Sequence, residues 1–317
     1  MKIKQLPEDF IVREIPDYEK EDGPYSVFIL KKRNYTTERA IQRICEALHI
    51  KRNRVGYAGI KDKVAVTEQY ISLFKISKKI VASLKLKDLE LEFVSFSKNP
   101  ISLGMLKENS FEIIVRDLEK DFKISDCGRI KNYFDSQRFS HNNAVVGLAL
   151  LKRDFKKAVN LILETEGDYE CEMKEFLKSN PNNYVGALGK IPHKILLLFI
   201  HAYQSDLFNK TIDLLDNKKN VLVPIVGFGT EYEDKKMKSI IQDFLSRDGL
   251  TERDFVIQQI KGLSSFGEQR PLYVSLKNLS VGSLKADDLN KGKYKLKVSF
   301  SLPKGSYATN VLKSLVS

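Results

Sequence analysis

The chain has 317 residues, 42% of them hydrophobic and 30% charged, with 18 Phe and 13 Tyr, which excludes a largely disordered protein and leaves room for roughly two domains. Fifty-three Lys plus Arg against 41 Asp plus Glu give a formal charge of +12. That balance favours polyanionic partners, nucleic acid first, although a Lys-rich solvated surface has the same composition.

Cys45, Cys127 and Cys171 are few and scattered, against both a disulfide framework and a CxxC zinc site, and they fit reduced thiols in the cytoplasm. His49, His141, His193 and His201 lack the spacing of a metal cluster, so no metal is expected. The opening MKIKQLPEDF has no apolar signal core, and KILLLFI at 194–200 is far short of the ~18 apolar residues of a membrane span.

In chain order, DFIVREI (9–15) and YSVFILKK (25–32) read as strands separated by an acidic turn with Gly and Pro. From Thr36 or Thr37 as N-cap, Ala40, Ile41, Ile44 and Leu48 form an apolar helical face that ends near His49. A basic connector, KRNRVGYAGIKDK, follows. The run VAVTEQYISLF then alternates with period two, placing Val64, Val66, Tyr70 and Phe74 on one side and Ala65, Thr67, Gln69 and Ile71 on the other.

LEFVSFS (91–97) and SFEIIVRDL (110–118) are further strands, and ISDCGRIKNYFDSQRFS (124–140) is expected to begin as a helix and end as an aromatic, basic loop. Helical texture dominates from about 145 to 215 in NAVVGLALLKRDFKKAVNLILE and HKILLLFIHAYQSDLFNKTIDLL; strand texture returns at RPLYVSL and YKLKVSFSL. The expected class is α+β. A β-rich domain (1–147 and 266–317) is interrupted by a mainly helical insertion (148–265).

Asp62 stands between Lys61 and Lys63 where a loop becomes a strand. A carboxylate there is ordinarily a turn residue or an ion-pair partner. Gly56 and Gly59 allow close backbone approach and the lysines attract phosphate, which makes Asp62 a candidate nucleophile or base. GYAG also satisfies the GxxG of KH domains, but a KH loop joins two helices, and no Walker A motif is present.

Four blocks, DFIVREI, GYAGIKDKVAVTEQ, NYFDSQRFS (132–140) and FSLPKGSYATNVLK (300–313), resemble the TruD family of tRNA pseudouridine synthases. The second, with G-x-K-D followed by A-x-T-x-Q, is the most specific. The resemblance implies a pseudouridine synthase mixed β-sheet core with flanking helices, split by a helical TruD-type insertion. It implies that Asp62 is the catalytic aspartate and that Asn132 and Phe134 position it and the target base. Arg138 and Phe139 belong to the same block, Phe10 and Glu14 to the opening block, Lys61 flanks the aspartate, and Tyr307 lies near the site.

The implied substrate is tRNA, with uridine 13 the expected target, and no cofactor, membrane or protein partner is required. The expected chemistry breaks the N1 glycosidic bond, turns the uracil and joins C5 to C1′, on a base extruded from its stack. Two positions depart from the family pattern: Asp135 and Ser140 stand where many members have Gly. HAYQSDLFN resembles part of the family's insertion. The alternatives are a non-catalytic RNA-binding protein, for which an intact Asp62 motif is unnecessary, and a nucleotide-dependent RNA enzyme, for which a cofactor loop is missing.

Overall fold

The computed structural model describes residues 1–124, 129–140, 142–216 and 219–316; Cys127 and His141 lie outside them. The first 118 residues supply β1 (Phe10–Pro16), β2 (Tyr25–Arg33), α1 (Thr37–Leu48), β3 (Val55–Tyr57), β4 (Val66–Phe74), α2 (Lys78–Ala82), β5 (Leu89–Ser97) and β6 (Leu106–Leu118). The middle supplies α3 (Asn143–Leu151), α4 (Phe155–Ile162), α5 (Asp168–Ser179), α6 (Tyr184–Leu188) and α7 (His193–Asp213), then β7 (Leu222–Ile225), α8 (Lys235–Arg247), β8 (Val256–Ile257), β9 (Leu263–Ser264) and β10 (Glu268–Pro271). The chain closes with β11 (Lys277–Val281), β12 (Lys285–Ala286), β13 (Tyr294–Pro303) and α9 (Ala308–Val316). No helix among the described residues is long and apolar enough to cross a membrane.

Two compact units divide these elements: Met1–Asp126 with Ser275–Ala308 and Leu315–Ser317, and Cys127–Val274 with Thr309–Ser314. The first is built on one mixed sheet, ordered β11-β13-β6-β1-β4-β2-β5, with β12 beside β13 and β3 beside β4. Its only parallel pairing among the described strands is β1 with β4, in the register Val12↔Thr67. Alternation in β4 buries Thr67, Gln69 and Ile71, so this strand has a closed inner face beneath the loop that leads into it.

Helix α1 covers that sheet. Thr36 Oγ1 accepts from the Arg39 N–H at 3.2 Å and His49 closes the helix in a left-handed conformation, while Ala40, Ile41 and Ile44 pack against Phe28, Leu30, Ile71 and Leu73. The N-cap and the apolar spacing place this helix where the sequence puts it.

In the second unit, α3, α4, α7 and α8 surround a core that includes Val146, Leu150, Val159, Ile200, Leu207 and Ile241. KILLLFI is part of α7. The helical texture of 143–164 is broken into α3 and α4 at Arg153, which has φ of 58°, before Asp154 caps α4 by accepting from the Lys157 N–H. The expected helix ahead of NYFDSQRFS is not found in residues 129–131, and 125–128 lie outside the described residues. There the backbone is extended because it pairs with the segment after β10: Lys131 bridges Tyr273, and the Val274 N–H donates to Ile130 O. β10 ends at Pro271, short of the full RPLYVSL run, where its partner β7 begins at Leu222.

Candidate active site

Residues 58–65 form the loop that carries Asp62 from β3 into β4. GYAG therefore lies on and just after a strand, unlike a KH loop. A Cβ at Gly56 would fall 2.3 Å from the Ile101 carbonyl oxygen, which only glycine avoids, whereas one at Gly59 would meet ordinary contacts. The A-x-T-x-Q pattern has a structural reason as well: Ala65, Thr67 and Gln69 are fully buried under the loop. Gln69 Nε2 donates to Gly59 O at 3.1 Å, and Gln69 Oε1 accepts from Thr37 Oγ1 at 3.0 Å. Thr37 Oγ1 in turn accepts the Lys61 N–H at 2.9 Å.

Asp62 projects from this scaffold, its side chain 43% exposed, and Lys4 Nζ donates to its Oδ2 at 2.6 Å. Lys4 has φ of 58° and its ammonium lies 4.1 Å from the centre of the Phe10 ring. Lys32 Nζ donates to the Asp62 carbonyl oxygen at 2.8 Å and to Tyr35 O at 2.6 Å. Lys61, by contrast, points inward: it is buried, with Nζ 2.7 Å from Glu14 Oε2 and donating to Asn109 Oδ1 at 2.7 Å. Glu14 Oε1 accepts the Tyr70 N–H at 3.1 Å, so Glu14 and Lys61 tie β1, the loop and β4 together. Phe10 is also buried, against Phe111. Tyr307 is half-buried between β13 and α9.

Asn132, Phe134 and Arg138 lie in the second unit. Asn132 is buried; its Oδ1 accepts from Arg270 Nη2 at 2.7 Å, its carbonyl from Arg270 Nε at 3.0 Å, and its Nδ2 donates to Pro271 O at 3.2 Å. The Arg270 guanidinium then lies 4.2 Å from the centre of the Phe134 ring, and Phe208 meets that ring edge-on at 5.4 Å. Asn209 brackets the Phe134 main chain, its Oδ1 accepting the N–H at 2.9 Å and its Nδ2 donating to the carbonyl at 3.0 Å. Arg138 Nε donates to Ser205 Oγ at 3.3 Å. Ser205 and Asn209 both belong to HAYQSDLFN, whose side chains thus hold the NYFDSQRFS loop in place.

The two departures from the family pattern have local explanations. Asp135 is buried; Thr309 Oγ1 donates to its Oδ2 at 2.6 Å and the Ser136 N–H to its Oδ1 at 2.7 Å. Burial pushes its carboxyl up, but the Thr309 and Ser136 hydrogen bonds and Lys313 outweigh that and hold it below the usual range. Its charge is used internally. Ser140 has φ of 44°, the left-handed region that glycine enters most readily.

Phe134→Leu keeps an apolar side chain against Phe208 and removes the aromatic face. The expected single-turnover rate is about five- to a hundredfold lower, the range for losing one stacking face of roughly 1–3 kcal/mol. An unchanged rate in the folded variant reduces Phe134 to packing.

The resemblance of the sequence to the pseudouridine synthases is borne out by comparison with known proteins. Within that class, the model of tRNA pseudouridine synthase D (TruD) matches residues 1–175, 163–219 and 213–315, and the chain belongs to that family. Its curated relatives include a probable tRNA pseudouridine synthase D 2 of Methanocaldococcus jannaschii, 30% identical, with 99% of this chain and 91% of the relative covered. Another is the tRNA pseudouridine synthase D of Aquifex aeolicus, 27% identical, with 99% and 98% covered. A crystal structure assigned to tRNA pseudouridine synthase D of Methanosarcina mazei superposes with a TM-score of 0.77 at 26% identity, over 99% of this chain and 93% of that one.

Lys4, Asn209 and Arg270 are not among the residues that the sequence motifs single out. HAYQSDLFN carried a signal for Asn209 through its resemblance to the family's insertion, whereas Lys4 and Arg270 lie outside the recognised blocks.

Proposed function

We propose that this protein isomerises a uridine of tRNA, position 13 by family resemblance, to pseudouridine in the cytoplasm, with Asp62 as the reacting carboxylate. The observation that carries the reading is an exposed Asp62 side chain held by Lys4 on a loop whose backbone is fixed by Thr37, Gln69 and Lys32, in a chain of the TruD family. Such a carboxylate is accessible yet held in place, as a nucleophile or base must be. The reaction breaks N1–C1′, turns the uracil and forms C5–C1′; the C5 proton leaves and N1, freed from the sugar, takes up a proton. It is a rearrangement with no net redox change and no group donor.

A uridine in folded RNA must leave its stack to reach Asp62. In this reading Phe134 offers that base an aromatic face, Asn132 and Arg138 hold the loop that carries it, and Tyr307 lies near the site. Phe10 and Lys61 act from beneath, shaping the positions of Lys4 and of the loop. The net charge of +12 supplies the long-range attraction to RNA.

The test is incubation of the purified protein with unmodified tRNA transcript, followed by carbodiimide mapping. Pseudouridine at position 13 is the expected product. A transcript that is bound but left unmodified identifies an RNA-binding protein without this activity.

A further inference from the structure

Lys32 is a lysine in the middle of a sheet, 1% exposed. Burying an ammonium is costly unless its hydrogens are satisfied, and an aliphatic side chain at this position would serve the core better. Its partners are not a carboxylate but two loop carbonyls: Tyr35, just after β2, and Asp62 itself. Across β4 its register partner is Thr67, whose buried hydroxyl has no hydrogen-bond partner, and across β5 it is Leu89. The charged groups that act on it are Asp62 and Lys61, both on the loop, while its strand partners are uncharged.

We propose that Lys32 is a positioning residue for the reaction: its protonated amine anchors the Asp62 main chain and supplies a fixed positive charge close to the Asp62 carboxylate. The inference rests on Asp62 being the reacting group. A charged donor grips a carbonyl more strongly than a neutral amine does, and a buried charge is weakly screened. Loss of the Lys32 proton therefore loosens the aspartate and removes the charge in one step.

Burial drives the Lys32 amine down to about 8, with Asp62 opposing and Lys61 adding to the shift. The sign of the stability effect separates this role from a structural one. Between about 8 and the ordinary 10.5, the unfolded chain holds a proton that the folded one has released, so this group makes the fold more stable as pH rises. The reaction is expected to slow over the same interval. Activity and stability move in opposite directions, which unfolding does not produce.

The experiment measures single-turnover rates at saturating tRNA on both sides of pH 8, with unfolding midpoints in the same buffers. The wild-type rate should fall as pH rises through about 8 without a matching loss of stability. Lys32→Met should be about ten- to a hundredfold slower at neutral pH, the scale of a lost hydrogen bond to a charged donor, with tRNA affinity unchanged and the alkaline decline gone. In a chain whose Cys45, Cys127 and Cys171 are first replaced by Ala and shown to fold and react normally, Lys32→Cys, aminoethylated in the unfolded state and refolded, restores a side chain of the same length and lower basicity. It should recover most of the rate and decline at lower pH.

A flat wild-type profile through pH 8 overturns the proposal even if no variant folds, and so does an unchanged decline in folded Lys32→Met, which would belong to another group. Asp62→Asn run alongside keeps the two claims apart. An inactive Asp62→Asn with a flat profile rejects only the role of Lys32, whereas an active Asp62→Asn rejects the reading of the site.

Discussion

Asp62→Asn is expected to lower pseudouridine formation by roughly a thousandfold or more, the scale on which loss of a covalent nucleophile or its base is felt. The amide has nearly the same shape, and the main chain around it is held by groups that the substitution leaves alone: Lys32 on the residue 62 carbonyl, Thr37 on the Lys61 N–H and Gln69 on Gly59. Only the ion pair with Lys4 is lost. With Asp62 43% exposed and Lys4 16% exposed, that pair contributes on the order of 0–1 kcal/mol to stability. Unfolding midpoint and tRNA affinity should therefore stay near wild type while the rate collapses. Tritium release from C5-labelled tRNA measures the rate directly, and release at the wild-type speed would remove Asp62 from the chemistry.

The contrast between Lys4 and Lys61 shows where local pattern stops being informative. Lys61 adjoins the aspartate in sequence, yet the chain is extended enough there for successive side chains to point opposite ways: Ile60 and Asp62 face out, and Lys61 turns in to Glu14. Lys4 reaches Asp62 across 58 positions of sequence, and nothing in MKIKQLPEDF announces it. Local chemistry did place other features, because each depends on neighbours in the chain: the Thr36 cap, the apolar face of α1 and the alternation in β4.

Lys32 illustrates a different limit. A lysine in a strand is ordinarily a solvent-facing residue, and its burial follows only from having β4 on one side, β5 on the other and the Asp62 loop over its end. Arg270 is similar. Its grip on Asn132 spans 138 positions and depends on the loop 129–135 pairing with the segment after β10, which the expected helix at its start would have prevented. Side chains that organise the site through long-range contacts are visible only once the elements are assembled.

Arg116→Met is expected to destabilise the first unit by about 3–5 kcal/mol, the cost of breaking a buried ion pair from one side. Arg116 is 3% exposed and lies near the end of β6. Its Nε donates to Asp9 Oδ1 and Oδ2 at 2.9 and 3.0 Å, and its Nη1 to Asp287 Oδ1 at 2.8 Å and Asp288 Oδ1 at 2.7 Å. The side chains of Asp9 and Asp287 are completely buried, so removing the guanidinium strands two carboxylates in the sheet layer. Burial alone would raise the Asp287 carboxyl, but the Leu289 and Asp117 N–H groups, Asn290 and Arg116 outweigh it and hold it well below the carboxylate range. A carboxyl depressed in this way contributes stability that is present above its unfolded value near 3.8 and is lost as pH falls through the folded one, so wild type should weaken in acid. The substitution should also reach the site. Asp9 closes the short turn Pro7–Asp9 by accepting the Leu6 N–H, and that turn sits between Lys4 and Phe10. Lys4 is then less firmly held over Asp62, and turnover should fall even where the variant remains folded. Urea unfolding at neutral pH checks the stability, and adding Asp9→Asn and Asp287→Asn to Arg116→Met checks the cause. Neutralising the stranded carboxylates should recover part of the loss; no recovery would mean that Arg116 stabilises the sheet by packing rather than by charge.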